Sequence, residues 1–150
     1  MSESPDLPSS IGVLLRLLNQ NFSMHVGQAL AEAGFGDLGQ MHSNVFTFVP
    51  EEGIQVSELA TLARVRKQTM AQAVEELEKR GYIERHPDPS DKRGRLVFLT
   101  EKGKQVRPTA MQAGEKVEAH WSELLGEKEL EDLRRLLQTL LRKLSEEGPA

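Results

Sequence analysis

Two clusters of side chains in this chain have the donors and charges to read a polyanion. Arg66, Lys67, Gln68 and Thr69 follow one another, and Gln72 comes about one helical turn later. An amide such as that of Gln68 or Gln72 can pair with adenine through both its groups. An Arg or Lys can do the same with guanine, and a Thr can meet a phosphate or a thymine methyl. Asp91, Lys92, Arg93 and Arg95 form the second cluster, beside the turn-forming Pro87, Pro89 and Gly94. Lys92 and Arg95 suit phosphate oxygens, and plain solvated charges would look the same. Ser57 can bond a phosphate through its hydroxyl or serve as a helix N-cap. Thr69 can likewise be a cap rather than a contact.

The apolar spacing supplies elements to hold these clusters. Met70, Ala73, Val74 and Leu77 recur at helical spacing, so a helix is expected from about Lys67 to Arg80, stopped at Gly81. Its opposite face carries Lys67, Gln68, Gln72 and Glu75. A shorter helix is expected from Ser57 to Ala63, with Ser57 as N-cap and Arg64-Val65-Arg66 as the turn. A hairpin is expected to pair Tyr82–His86 with Arg95–Leu99 across Pro87–Gly94; Ile54-Gln55-Val56 is too short for an independent strand but could pair beside it as a third one. This order is a winged helix-turn-helix, whose second helix enters a DNA major groove.

The rest of the chain frames that module. From Ile11 a helical pattern runs to Gly34 and Gly36, with Ser9 or Ser10 available as cap. Residues 40–49 favour a helix through Met41, Val45 and Phe48, though the run Phe46–Val49 could pass for a strand. Thr100 can cap a helix that contains Pro108, where a missing donor is expected to bend it. A last helix from about Glu127 to Glu146 shows a stripe of Leu130, Leu133, Leu137, Leu140 and Leu144. Burying a leucine is worth about 2 kcal/mol. The ends therefore pack on each other as an intramolecular bundle, or on a second copy as a homodimer, and the homodimer is the favoured reading.

Composition bounds the alternatives. The chain of 150 residues is 38% hydrophobic and 28% charged, which suits a folded domain. It has no cysteine, hence no disulfide, thiolate metal site or thiol sensor. No apolar run spans a membrane, and the N-terminus lacks the pattern of a secretory signal, so a soluble cytoplasmic protein is the simplest reading. The net charge of −4 hides a division: residues 61–107 hold 12 Lys+Arg against 7 Asp+Glu, and the remainder is −9. One basic face inside an acidic chain fits a phosphate-facing surface.

The segment DKRGRLVFLT, from Asp91 to Thr100, resembles the wing pattern D-x-R-x-x-x-V-x-L-T of the MarR (multiple antibiotic resistance regulator) family. LEKRGYIER, just upstream, resembles that family's link from recognition helix to wing. The resemblance implies a mainly α (α+β) fold, in which a winged helix-turn-helix over residues 37–100 binds double-stranded DNA. Residues 9–36 and 101–147 would form a dimerisation domain, and residues 1–8 a disordered tail. It implies a transcription regulator, a repressor more readily than an activator, on a pseudo-palindromic operator. Arg93 would be the wing-tip arginine, drawn into a narrow A·T minor groove by its negative potential. Asp91 would hold Arg93 by an ion pair, unless the two merely fix the hairpin turn. The family often has a basic residue where this chain has Gln72, which puts a phosphate contact there in doubt.

The resemblance also implies a small aromatic or phenolic effector that releases the protein from DNA. Phe22, His25, His42, Phe46 and Trp121 are the expected lining, with Arg16 as a carboxylate partner, although aromatic residues on helices are commonly core. The histidines form no i, i+4 pair, and His120 with Glu123 reads as a surface contact, so no metal or cofactor is assigned. The second function class is a winged helix used for protein interaction without DNA, which the acidic total favours and the basic wing opposes. No dinucleotide, Walker, zinc-protease or nucleophile-elbow motif is present, so an enzyme is not expected.

Overall fold

Ser10 marks the start of the first helix in the computed structural model, which describes residues 6–148. Eight elements follow: α1 (Ile11–Glu32), α2 (Gln40–Phe48), α3 (Val56–Ala63), α4 (Lys67–Lys79), β1 (Ile83–Asp88), β2 (Asp91–Leu99), α5 (Glu101–Leu125) and α6 (Glu127–Glu146). Most of the expected 1–8 tail lies outside the described residues. Ser10 occupies the N-cap position, but its hydroxyl makes no capping bond. Among the described residues no helix is long and apolar enough to cross a membrane.

Compactness divides the chain after Ala113, inside α5, which runs on through Pro108 as one helix. The first unit has its core where α2, α3, α4 and the hairpin meet. Val45, Leu59, Met70, Val74, Leu77, Tyr82 and Val97 are all fully buried there. The α4 residues in that core are the expected set Met70, Ala73, Val74 and Leu77. Regular spacing at 3.6 residues per turn is enough to put them on one face.

Tyr82 lies one residue before β1, which starts at Ile83 rather than at Tyr82, and it is fully buried. Phe35 and Phe46 meet its ring edge-on at 6.1 and 5.8 Å, and the Lys102 ammonium sits 4.2 Å from its centroid. Its hydroxyl donates to Asp37 Oδ1 at 2.6 Å. Its backbone N–H donates to Leu77 O, and its carbonyl accepts Thr100 N–H. The Thr100 hydroxyl donates to Gly81 O and accepts Gly103 N–H, capping α5 as expected. Gly81, with φ +82, makes the left-handed exit from α4. Recognition helix, wing and α5 therefore meet at one residue.

Ile54 forms a single bridge to Val97, not a third strand. Its N–H and C=O bond Val97 O and N at 3.2 and 2.8 Å. The helix begins at Val56, two residues on, so no further pairing is open to this segment.

The second unit holds the end of α5 and all of α6. Arg134 forks onto Glu118 at 2.6 Å and Glu131 at 3.1 Å, which pins α6 to α5 across Gly126. α6 has no buried residue, and Leu136, Leu140, Leu141 and Leu144 stand exposed in the single chain.

Burial first, and then the Asp37 carboxylate, push the Tyr82 phenol up to about 12. Because the folded-state value is raised, this contribution to stability is complete below the ordinary tyrosine range and is lost as pH rises toward that value. Tyr82 is the only tyrosine. The ultraviolet phenolate absorbance of the folded chain is therefore expected to titrate with a midpoint near 12. A midpoint at the free-tyrosine value of about 10 would show an open ring.

Candidate nucleic-acid interface

The turn between α3 and α4 sets the angle of the recognition helix. Arg64 closes α3 in the left-handed conformation, at φ 56 and ψ 41. Arg64 N–H bonds Thr61 O, and Val65 N–H bonds Ala60 O, satisfying the last carbonyls of α3. Arg66 is the N-cap of α4 without a side-chain capping bond, so Thr69, inside the first turn, is not a cap. Ser57 is not a cap either. α3 starts one residue earlier than expected, with Gln55 at the N-cap, and Ser57 falls in the first turn with its side chain exposed. Arg66, Lys67, Gln68 and Thr69 all project into solvent at the start of α4. Gln72 is exposed on the same helix and donates weakly to Glu76 Oε1 at 3.5 Å.

Two ties hold α4 to its neighbours. His42, buried in α2, accepts Gly39 N–H on Nδ1 at 3.0 Å and bonds Glu76 through Nε2 at 2.8 Å. With Nδ1 accepting, Nε2 carries the proton, so this is a neutral imidazole donating to a carboxylate. That bond holds the Glu76 carboxyl below its usual range. At the other end, Arg85 of β1 makes a two-point pair with Glu78, Nε and Nη2 each 3.0 Å from a carboxylate oxygen. Arg95 on β2 donates to the Arg85 carbonyl at 3.1 Å, which turns it back along the ribbon.

The wing is longer than the sequence suggested. β1 and β2 pair from Ile83↔Leu99 to Pro87↔Arg95 and then Asp88↔Asp91, so Pro87 lies within the ladder and the turn shrinks to Pro89-Ser90. Lys92, Arg93 and Gly94 have no partners on β1 and form a bulge. A bulge re-aims side chains at a strand end, and the Arg93 guanidinium makes no bond or ion pair among the described residues. The expected ion pair from Asp91 is replaced by a backbone contact. Asp91 Oδ1 accepts Arg93 N–H at 3.0 Å, because a carboxylate two residues back meets the main chain of a turn before it can reach a long side chain. Asp88 holds the turn itself, accepting Ser90 N–H and hydroxyl on Oδ1 and the Gln55 amide on Oδ2. The Gln55 bond first, then Ser90, keep the Asp88 carboxyl below its usual range.

The residues expected around an effector differ in exposure. His42 and Phe46 are core residues, 4% and 6% exposed, closed off by Glu76 and by the Tyr82 ring. Arg16 and His25 are exposed on α1, with His25 bonded to Asn21 O, and Phe22 is half-buried there. Trp121 belongs to the second unit. A cavity of about 280 Å³ lies between the α2–α3 turn, the base of the wing and the start of α5, lined by Val49, Phe98, Lys104 and Arg107 among others. Arg107 is occupied in part, donating to the Phe46 and Val49 carbonyls at the end of α2. Among the described residues no three His, Asp or Glu side chains could share a metal ion.

Sequence reasoning passed over Gln55, Glu78 and Arg85. Glu78 and Arg85 are seven residues apart and in different elements, so only the strand's return past the helix brings them together. The one signal was opposite charge on either side of a glycine turn.

A helix-turn-helix with exposed amides and cations on its second helix, followed by a two-stranded wing with a bulged arginine, defines a winged-helix protein of the DNA-binding type. The sequence model of the MarR family matches residues 37–94. The transcriptional regulator HosA of Escherichia coli is 31% identical over 125 residues, 83% of this chain and 91% of its own. The crystal structure of a mutant MarR from E. coli complexed with operator DNA is similar at a TM-score of 0.73 and 26% identity, covering 87% of this chain and 93% of that one. CouR from Rhodococcus jostii, bound to p-coumaroyl-CoA, is similar at 0.69 and 27% identity, covering 91% and 95%. The chain belongs to the MarR family and has the winged-helix fold of its transcriptional regulators.

Removing Arg85 tests the tie between α4 and the wing. Arg85 is the main cause that holds the Glu78 carboxyl low, so the pair's stability is present above the ordinary glutamate range and lost as pH falls through the depressed folded-state value. Both partners are about a third exposed, which limits the pair to roughly 1 kcal/mol. Urea unfolding should therefore find Arg85→Ala less stable near neutral pH, with the gap closing in acid. A gap independent of pH would assign the loss to packing of the arginine stem.

Proposed function

We propose that this protein is a cytoplasmic, homodimeric repressor that reads a pseudo-palindromic DNA operator with two winged helix-turn-helix heads. The observation that carries the reading is the pairing of two free recognition surfaces on one rigid unit. Arg66, Lys67, Gln68, Thr69 and Gln72 lie exposed along the start of α4, and Arg93 stands out of the bulge on the adjoining wing. In this reading Gln68 and Gln72 read base edges in the major groove, and Arg66 and Lys67 face phosphates or guanine. Thr69 and Ser57 meet the backbone, and Arg93 enters the flanking minor groove with Lys92 and Arg95 alongside. Asp91 acts through the main chain of Arg93. The likeness to a MarR solved on operator DNA supports this assignment.

The apolar ends supply the second copy. Leu136 and Leu141 on α6 are 64% and 60% exposed in the single chain, and a run of such leucines is more apolar surface than a soluble monomer usually shows. A dimer would set two reading heads about one helical turn of DNA apart. Release by a small aromatic effector completes the proposal. It is supported by the likeness to CouR, which was solved with p-coumaroyl-CoA, and Arg16, Phe22, His25 and Trp121 remain its candidate contacts.

Selection of bound duplexes from a random DNA pool tests the reading, with a pseudo-palindrome as the expected outcome. On that duplex at fixed salt, Arg93→Ala is expected to lose roughly 1–3 kcal/mol of binding with the thermal unfolding unchanged. Gln68→Ala should relax sequence preference. Lys67→Ala should weaken specific and scrambled duplexes alike and lower the salt slope by about one. Wild-type affinity in all three variants would leave the protein-interaction reading standing. For the dimer, the double variant Leu136→Glu, Leu141→Glu is expected to sediment as a monomer with its helical circular dichroism retained. A wild-type chain that is monomeric at every concentration would remove the dimer.

A further inference from the structure

We propose that Gln55 is a positioning residue for DNA recognition, which locks the tip of the wing to the start of the helix-turn-helix so that both present as one rigid reader. The proposal rests on the reading of Arg93 as a wing-tip DNA contact. Gln55 sits at the N-cap of α3, yet its side chain makes no capping bond to its own helix. The side chain turns to the wing instead, and its Nε2 donates to Asp88 Oδ2 at 2.8 Å. The same carboxylate, through Oδ1, holds the backbone and hydroxyl of Ser90 in the turn. One amide thus reaches the group that organises the whole wing tip.

The bulge is shaped to receive it. A Cβ at Gly94 would come within 2.6 Å of Gln55 Nε2 and 3.2 Å of Asp91 Oδ2. Only a residue without a side chain lets the amide pack against the main chain at this point. Gly94 is the last residue of the bulge, and the backbone N–H of its neighbour Arg93 is held by Asp91. The preceding residue grips the base of the ribbon, since Ile54 exchanges two backbone bonds with Val97. Residues 54 and 55 therefore clamp the wing at two heights, by main chain at the base and by side chain near the tip. An isolated two-stranded ribbon is only marginally stable in water. A tip left loose would have to be ordered each time it met DNA, a cost the clamp removes in advance.

The experiment compares wild type, Gln55→Ala, Gly94→Ala, the double variant and Arg93→Ala. Each is titrated with the duplex selected from the random pool, at one salt concentration. Nitrogen-15 relaxation of the backbone amides is recorded without DNA. Gln55→Ala is expected to weaken binding roughly two- to tenfold. The amides of residues 90–95 should become more mobile while those of α4 do not. Gly94→Ala should do the same by displacing the amide, so the double variant should bind no more weakly than Gln55→Ala alone. The isosteric Gln55→Glu, which keeps the shape but loses the donor, should not rescue. Unchanged wing mobility and affinity in Gln55→Ala, with Arg93→Ala still impaired, would overturn the positioning role and leave the minor-groove reading intact. Fully additive losses in the double variant would also overturn it. Wild-type affinity in both Gln55→Ala and Arg93→Ala would remove the wing-tip contact itself, whatever the amides show.

Discussion

The buried Tyr82 phenol, donating to Asp37 and ringed by Phe35, Phe46 and the Lys102 ammonium, is the contact on which the winged unit depends. Its main chain joins the end of α4 to the start of α5, and its ring fills the space below both. A fully buried phenol is tolerated only if its hydroxyl finds an acceptor, and the Asp37 carboxylate supplies one from the link before α2. Arg80 donates to the carbonyl of the same Asp37, so the exit of the recognition helix is fixed to that link as well. The exit of α4, the root of the wing and the start of α5 are fixed at this joint.

From there the polar ties work outward in order of exposure. His42 to Glu76 lies nearest the core, Arg85 to Glu78 lies at the flank, and the Asp88 and Asp91 turns lie at the tip. The acidic side chains of this basic module are largely spent inside it, on histidine, on arginine, on an amide or on backbone N–H groups. This resolves the contrast between a chain of net charge −4 and a surface suited to phosphate. The carboxylates orient the module, and the cations at the start of α4 and in the bulge are left facing outward.

The fold was legible wherever a single periodicity decided it. The buried face of α4, the Leu stripe of α6, the glycine exit at Gly81 and the Thr100 cap were all readable because each depends on residues within one or two turns of each other. The errors fall where a neighbour in space outbids a neighbour in sequence. Ser57 is a better N-cap by type than Gln55, but the strand bridge at Ile54 and the wing contact of Gln55 start the helix earlier. Asp91 and Arg93 look like an ion pair in the sequence, but in a turn the nearer backbone N–H takes the carboxylate. His42 and Phe46 are polar-aromatic candidates on paper and core in the fold, because Glu76 and Tyr82 arrive from 34 and 36 positions away to cover them.

The sequence by itself determined the class of the protein, because the wing pattern from Asp91 to Thr100 and the spacing of Met70, Ala73, Val74 and Leu77 are local signals that survive without any knowledge of packing. It also singled out candidate DNA contacts, since the amides and cations cluster in two short runs. Only the tertiary structure decided how those runs are presented. The bulge that frees Arg93, the Gln55 amide beneath Gly94 and the Glu78–Arg85 tie all join residues from different elements. Their geometry is set by the return of the chain around Tyr82, and no spacing along the chain encodes a contact made across it.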